Sequence, residues 1–155
     1  MSRKKAREIV LCLVFLKNYR DDAGCEQLYN ELFENCSLEE LYTFFGEKEA
    51  KNTPGSLREA DCDYIKNTFF GVFENIGQID EIVSRSTVGW KYGRISKIST
   101  ALLRIAAYEL MYARDIPVSV AINEALELSK RYDDPEAYIF VNGVLGAVVK
   151  TINNP

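Results

Sequence analysis

Apolar residues recur at spacings of three and four along most of the chain, and strict alternation is scarce. That pattern predicts amphipathic helices and few strands. Ala6, Ile9, Val10, Leu13 and Leu16 form one stripe and predict a first helix over about 3–20. Leu28, Leu32 and Phe33 predict a second over about 25–35. Ser37 and Glu40 have the spacing of a capping box, which predicts a short third helix to about Phe45. Residues 46–57 hold Gly46, Asn52, Thr53, Pro54, Gly55 and Ser56 and predict the one clear loop.

Further on, Ile65, Phe69, Val72, Phe73 and Ile76 predict a longer helix that Gly77 ends. Residues 80–88 predict another turn or two, after which Gly89 and Gly93 flank the only tryptophan, Trp90. The stretch over about 96–113 is apolar nearly all round, through Ile98, Leu102, Leu103, Ile105 and Leu110. Such a helix is buried on most sides, so it is expected to be the central helix of the second half. Ile116-Pro117 separates it from a helix running to about Tyr132. Asp133-Asp134-Pro135 breaks the chain again, before a last helix carrying Val141, Val144, Leu145, Val148 and Ile152. The expectation is an all-α chain of about seven helices with short connections.

Composition adds scale. The 155 residues suit one domain or two small bundles sharing a core, and 47% hydrophobic residues are ordinary for a globular chain. The formal net charge of −4 argues against a phosphate-binding surface. Its distribution argues otherwise. Arg3, Lys4, Lys5 and Arg7 open the chain with no acid among residues 1–7, and Lys91, Arg94, Lys97 and Arg104 fall in a second stretch without acid. Residues 21–63 carry twelve acids against Lys48, Lys51 and Arg58. Local field, not net charge, steers an anion to its site. The cations of the first helix oppose its dipole, a cost that an external anion would offset.

Cys12, Cys25, Cys36 and Cys62 form no Cys-x-x-Cys pair, and the sequence has no histidine to complete a zinc site. They are expected to be mostly buried thiols in a reducing cytosol. Arg3 to Leu16 imitates a signal peptide, but Glu8 interrupts the apolar run and no small-residue cleavage site follows, so export is not expected. No stretch approaches a membrane span.

Without histidine, Ser-His-Asp and Cys-His nucleophile pairs and zincin motifs have no base or ligand. There is no phosphate loop and no Gly-x-Gly-x-x-Gly. Glu124 and Glu127 share a helix face, where a carboxylate pair is solvated far more often than catalytic. An enzyme is not expected, and neither is a cofactor or metal. Nucleic-acid binding needs cations for phosphates and flat rings for unpaired bases. The basic start supplies the first, with Arg104, Lys130 and Arg131. Tyr132, Tyr138 and Phe140, around the Asp133–Pro135 turn, offer the second unless they are core.

The second half carries an ordered series of motifs. Ala101-Leu-Leu-Arg104-Ile-Ala-Ala-Tyr108-Glu109-Leu110 is followed by Asp115-Ile116-Pro117 and Val120-Ala121-Ile122-Asn123-Glu124-Ala125. Leu128, Lys130 and Phe140-Val141-Asn142-Gly143-Val144-Leu145 close it. With Ala6-Arg7-Glu8, Trp90 and Arg94-Ile95, this series resembles the NusB family over nearly the whole chain, least so from Asp21 to Arg58.

The resemblance implies an all-α fold of two packed three-helix bundles, about 1–78 and 79–155. It implies binding of boxA, a short single-stranded RNA element of ribosomal RNA leaders, in a heterodimer with NusE, a small-subunit ribosomal protein. Both would load onto RNA polymerase in an antitermination complex. Arg3, Lys4, Lys5 and Arg7 are the implied RNA contacts of the first helix. Arg104 is another, unless it forms a buried ion pair with Glu109 or Glu124. Lys130, Tyr132, Glu136 and Phe140 match the turn that adjoins RNA in the family. Asn123, Glu124, Asn142 and Gly143 look structural.

Phe15, Tyr19 and Ser99 are the implied contacts with NusE. Cys12 and Phe15 stand where the family commonly has glutamine and tyrosine, and Ser99 where it often has an acid just before the central helix. These departures bear on the NusE contact and not on the fold. The segment from Ser37 to Ser56 is longer than usual. A self-associating module of the same fold, a homodimer with its RNA surface covered, is the alternative. An RNA methyltransferase carrying such a domain would need a cofactor domain for which 155 residues leave no room.

Overall fold

A computed structural model of the chain describes residues 3–35, 59–90 and 95–154. Among these residues there are seven α-helices and no strand. They are α1 (Arg3–Tyr19), α2 (Cys25–Asn35), α3 (Glu59–Glu74), α4 (Ile76–Ser86), α5 (Lys97–Tyr112), α6 (Val118–Tyr132) and α7 (Pro135–Asn153). The helix expected over 37–45 and the loop expected over 46–57 lie outside the described residues. The chain divides into two compact units, residues 1–69 and 70–155, with the division inside α3.

In the first unit, α1 packs against α2. Arg20, just past α1, donates to Glu31 of α2 at 2.6 Å, an exposed pair that adds little stability. Burial on α1 is wider than its apolar stripe: every residue from Ala6 to Val14 is buried, Arg7 and Glu8 included. Periodicity reports which face is apolar, and it does not report charged residues that are buried as partners.

In the second unit, α5, α6 and α7 each pack on the other two, and α4 packs on α5 and α7. The core is built from Val72, Ile79, Leu103, Ala107, Phe140, Val144 and Leu145 with their neighbours. Each large side chain removed from water there contributes roughly 1.5–3 kcal/mol. The central place expected for the helix over 96–113 is the place that α5 occupies.

The break between α3 and α4 differs from expectation. Gly77 does not end α3; it lies in the first turn of α4, and the break is Asn75. The Asn75 side chain donates to the Gly71 carbonyl at 2.8 Å, the same carbonyl that its own backbone N–H reaches at 3.1 Å. A short amide that competes for the helical acceptor favours a helix end. Gly89 follows α4 with φ +94°, a conformation that suits glycine.

Two glycines admit aromatic rings. A Cβ on Gly71 would lie 2.4 Å from the Tyr108 ring, and one on Gly143 would lie 2.2 Å from Trp90 Cζ2. Trp90 also meets Phe140 edge-on, with ring centroids 5.5 Å apart. Gly143→Ala is expected to push the indole off Phe140 and to cost about 1–3 kcal/mol by overpacking. The measurement is urea unfolding followed by emission of the single tryptophan. An unchanged emission maximum and midpoint would show that the close approach is not required.

Burial pushes the Tyr29 and Tyr108 phenols above their ordinary value; Cys62 and Asp63 add to the shift at Tyr29, and Glu74, Glu109 and Asp115 add to it at Tyr108. A raised folded-state value means that the stabilising contribution is fully present below the unfolded value, about 10, and is lost as pH rises through the folded one. Stability should therefore fall in that alkaline window. Tyr29→Phe and Tyr108→Phe should each flatten the fall, as read by urea midpoints from about pH 8 to about pH 11.

Candidate nucleic-acid interface

The basic start of α1 is bound up with α3. Arg3 Nε donates to Asp61 Oδ1 at 3.3 Å, and the guanidinium carbon lies 4.4 Å from the centre of the Tyr64 ring. Arg7 approaches the same ring at 5.4 Å. Lys5 pairs with Glu8 at 3.7 Å. Lys4 is exposed. The four expected RNA contacts of α1 therefore differ in kind. Lys4 and the half-exposed Arg3 offer charge to solvent, whereas Arg7, at 5% exposure, is packed away with Glu8. A guanidinium so enclosed is a structural cation, and the expected RNA contact at Arg7 has no surface to act through.

Asp61 and Tyr64 were missed in the sequence. Their signal was slight: an acid and a ring three residues apart, on one face of a helix.

In the second unit, the turn between α6 and α7 gathers cations beside rings. Lys130 Nζ lies 4.8 Å from the Tyr138 ring centre and Arg131 Cζ 5.3 Å from that of Tyr132. Lys130 also stands 3.9 Å from Glu127. Both cations occupy the last turn of α6, where the helix dipole favours them. Glu136 is exposed in the first turn of α7, the favourable end for an acid. Tyr132 and Tyr138 are partly exposed. Phe140 is not: at 1% exposure against Trp90 it belongs to the core and presents no face to a base.

Arg104 forms a two-pronged pair with Asp80 of α4, through Nε at 2.9 Å and Nη2 at 3.0 Å. The expected ion pair exists, with Asp80 and not with Glu109 or Glu124, and it is part-buried. Asp80 lies 24 residues before Arg104, a separation that helical spacing does not report.

Ser99 is the third residue of α5 and not a residue ahead of it, and it is 1% exposed. Its hydroxyl donates to Asp133 Oδ2 at 2.7 Å, and its N–H donates to the capping Ser96 Oγ at 3.0 Å. Ser96 also donates to Asp133 Oδ2, at 2.6 Å. A side chain so engaged is turned into the fold, so the expected partner contact at Ser99 lacks a surface. Phe15 and Tyr19 differ: their rings meet at a tilt near the end of α1, with centroids 5.0 Å apart, and Tyr19 is 57% exposed.

Among the described residues no group of three His, Cys, Asp or Glu side chains could hold a metal ion, and no helix is long and apolar enough to cross a membrane. The sites on view among the described residues are cations against aromatic rings on α-helices, an arrangement of the class that nucleic-acid-binding proteins use. Comparison with known proteins narrows that class. The NusB family profile matches residues 4–150. A transcription antitermination protein NusB of Acetivibrio thermocellus is 39% identical over 150 residues, covering 97% of this chain and 90% of the relative. One of Clostridium botulinum is 36% identical over 150 residues, covering 97% and 99%. The T. maritima NusB structure superposes with a TM-score of 0.76 at 28% identity, covering 97% of this chain and 92% of that one. A chain from a crystal structure of antitermination factors NusB and NusE in complex with dsRNA shares the fold, with a TM-score of 0.73 at 23% identity and 96% of each chain covered. The chain belongs to the NusB family.

Asp133→Ala removes the shared acceptor of Ser96 and Ser99 and leaves two hydroxyls to find new partners. The expected loss is about 1–3 kcal/mol, measured by urea unfolding. A midpoint that does not move would show that the three-residue knot contributes nothing.

Proposed function

We propose that this protein is an antitermination factor that binds boxA-like single-stranded RNA together with NusE, on RNA polymerase transcribing ribosomal RNA operons. The observation that carries the reading is membership of the NusB family across residues 4–150. The fold shared with the NusB of the NusB–NusE–dsRNA complex supports it. The surface is compatible: Arg3 and Lys4 on α1, and Lys130 and Arg131 beside tyrosine rings, meet the need for phosphate contacts and stacking faces. The exposed Tyr19, with the partly exposed Phe15 beside it, is the part of the expected NusE contact that remains on a surface. No bond is made or broken in this role; the protein works by occupancy.

The test is fluorescence anisotropy with a boxA-like strand and a scrambled one, with and without NusE. Tighter binding to boxA, strengthened by NusE, is expected. Log affinity should fall with log salt by roughly 0.7 per phosphate contact on a single strand. Lys4→Glu and Lys130→Glu, both at exposed positions, should each weaken binding and lower that slope. Affinity indifferent to both, or a tight homodimer indifferent to RNA, would replace this reading with that of a self-associating module.

A further inference from the structure

Arg3 is held in a particular way. Only its Nε meets Asp61, and its side chain is 40% exposed while that of Asp61 is 4% exposed. The guanidinium lies over the Tyr64 ring at 4.4 Å, and Tyr64 is itself buried. None of the described residues bonds either Nη of Arg3. The carboxylate and the ring thus fix the inner edge and one face of a planar group, and leave its outer fork unused. A guanidinium fork matches two oxygens of a phosphate, and a charge-assisted pair of that kind is strong only when the plane is oriented. An arginine on a free chain would lose rotamer freedom on meeting the RNA, and here much of that loss has already been incurred in folding.

We propose that Asp61 and Tyr64 are positioning residues for RNA binding: they hold Arg3 with its Nη edge presented to a backbone phosphate. This rests on the RNA-binding reading above. It differs from simple charge in the sign of one effect. Asp61 is an anion 3.3 Å from the cation that meets the phosphate. If charge alone mattered, Asp61→Asn would remove a repulsive group and tighten binding. If Asp61 positions Arg3, the same change weakens binding.

The experiment measures anisotropy of a boxA-like strand with the full-length chain and NusE, over a salt series. Asp61→Asn is expected to weaken binding by about fivefold to tenfold. In an Arg3→Ala background the same substitution should have little further effect, because both changes act through one group. Arg3→Lys keeps the charge and loses the fork, so it should weaken binding nearly as much as Arg3→Ala. Tyr64→Leu removes the ring face beneath the guanidinium and keeps an apolar side chain, so it should weaken binding in the same direction as Asp61→Asn.

Asp61 is buried, so unfolding midpoints accompany each titration. Should Asp61→Asn not fold, the comparison of Arg3→Lys with Arg3→Ala decides, since the Arg3 side chain is half-exposed. Equal or tighter binding by a folded Asp61→Asn, or unaltered affinity for Arg3→Lys, would overturn the proposal. Absence of RNA binding by the unaltered chain would instead overturn the reading on which it rests.

Discussion

The carboxylate of Asp133 joins three helices of the second unit at one point. Its residue closes α6, its Oδ2 accepts from Ser96 and Ser99 at the start of α5, and its Oδ1 accepts from the Asp134 N–H that precedes α7. Ser96 already caps α5 through the Ser99 N–H, so the carboxylate adds an anion at the positive end of that helix. Its partners include the buried hydroxyl of Ser99, where a hydrogen bond to a charged acceptor counts for more than in water. The consequence is geometric. The turn that carries Lys130, Arg131 and Tyr132 on one side and Glu136 and Tyr138 on the other is tied to the central helix. Without that tie, the turn would be held to α5 only by the packing of α6 and α7 against it.

The same knot accounts for serine at position 99. A hydroxyl can donate to Asp133, and a carboxylate there could not. An acid at this buried position beside Asp133 would put two negative charges side by side in a part-buried site, a costly arrangement. Ser99 is therefore read better as a donor chosen for Asp133 than as a lost partner contact. The residue that looked like a departure from the family pattern is a local solution to a local charge.

Helix positions were legible because they depend on periodicity, which survives in any single sequence. The starts of α5 after Ser96 and of α7 at Pro135 fell at the expected breaks. Legibility failed where the deciding contact is distant in sequence or where one side chain has two roles. Arg104 was seen to need an acid, but Asp80 lies on another helix. Gly77 looked like a helix end, yet Asn75 supplies the competing donor. Arg7 and Phe140 were expected at the RNA because of their type and place in the motif series, and both are buried. A family pattern preserves core residues as faithfully as contact residues, so motif membership alone cannot separate the two. Exposure does.

Exposure also bears on how an acidic protein of net charge −4 would hold a polyanion. The cations most open to solvent among those assigned to RNA are few, Arg3 and Lys4 on α1 and Lys130 with Arg131 at the turn. Screening confines each to about 8–10 Å at ordinary salt, so distant acids weaken them little and distant cations help them little. On the proposed reading, a handful of phosphate contacts gives modest affinity, and each ordered side chain adds more than an equal charge on a free chain. A surface with few cations gains most by fixing the ones it has, as the Tyr64 ring and Asp61 fix Arg3. It gains next by sharing the RNA with a second protein that supplies contacts of its own. The exposed Tyr19 and the partly exposed Phe15, on the helix that begins with two of those cations, put a candidate protein contact and a candidate phosphate contact on one rigid element.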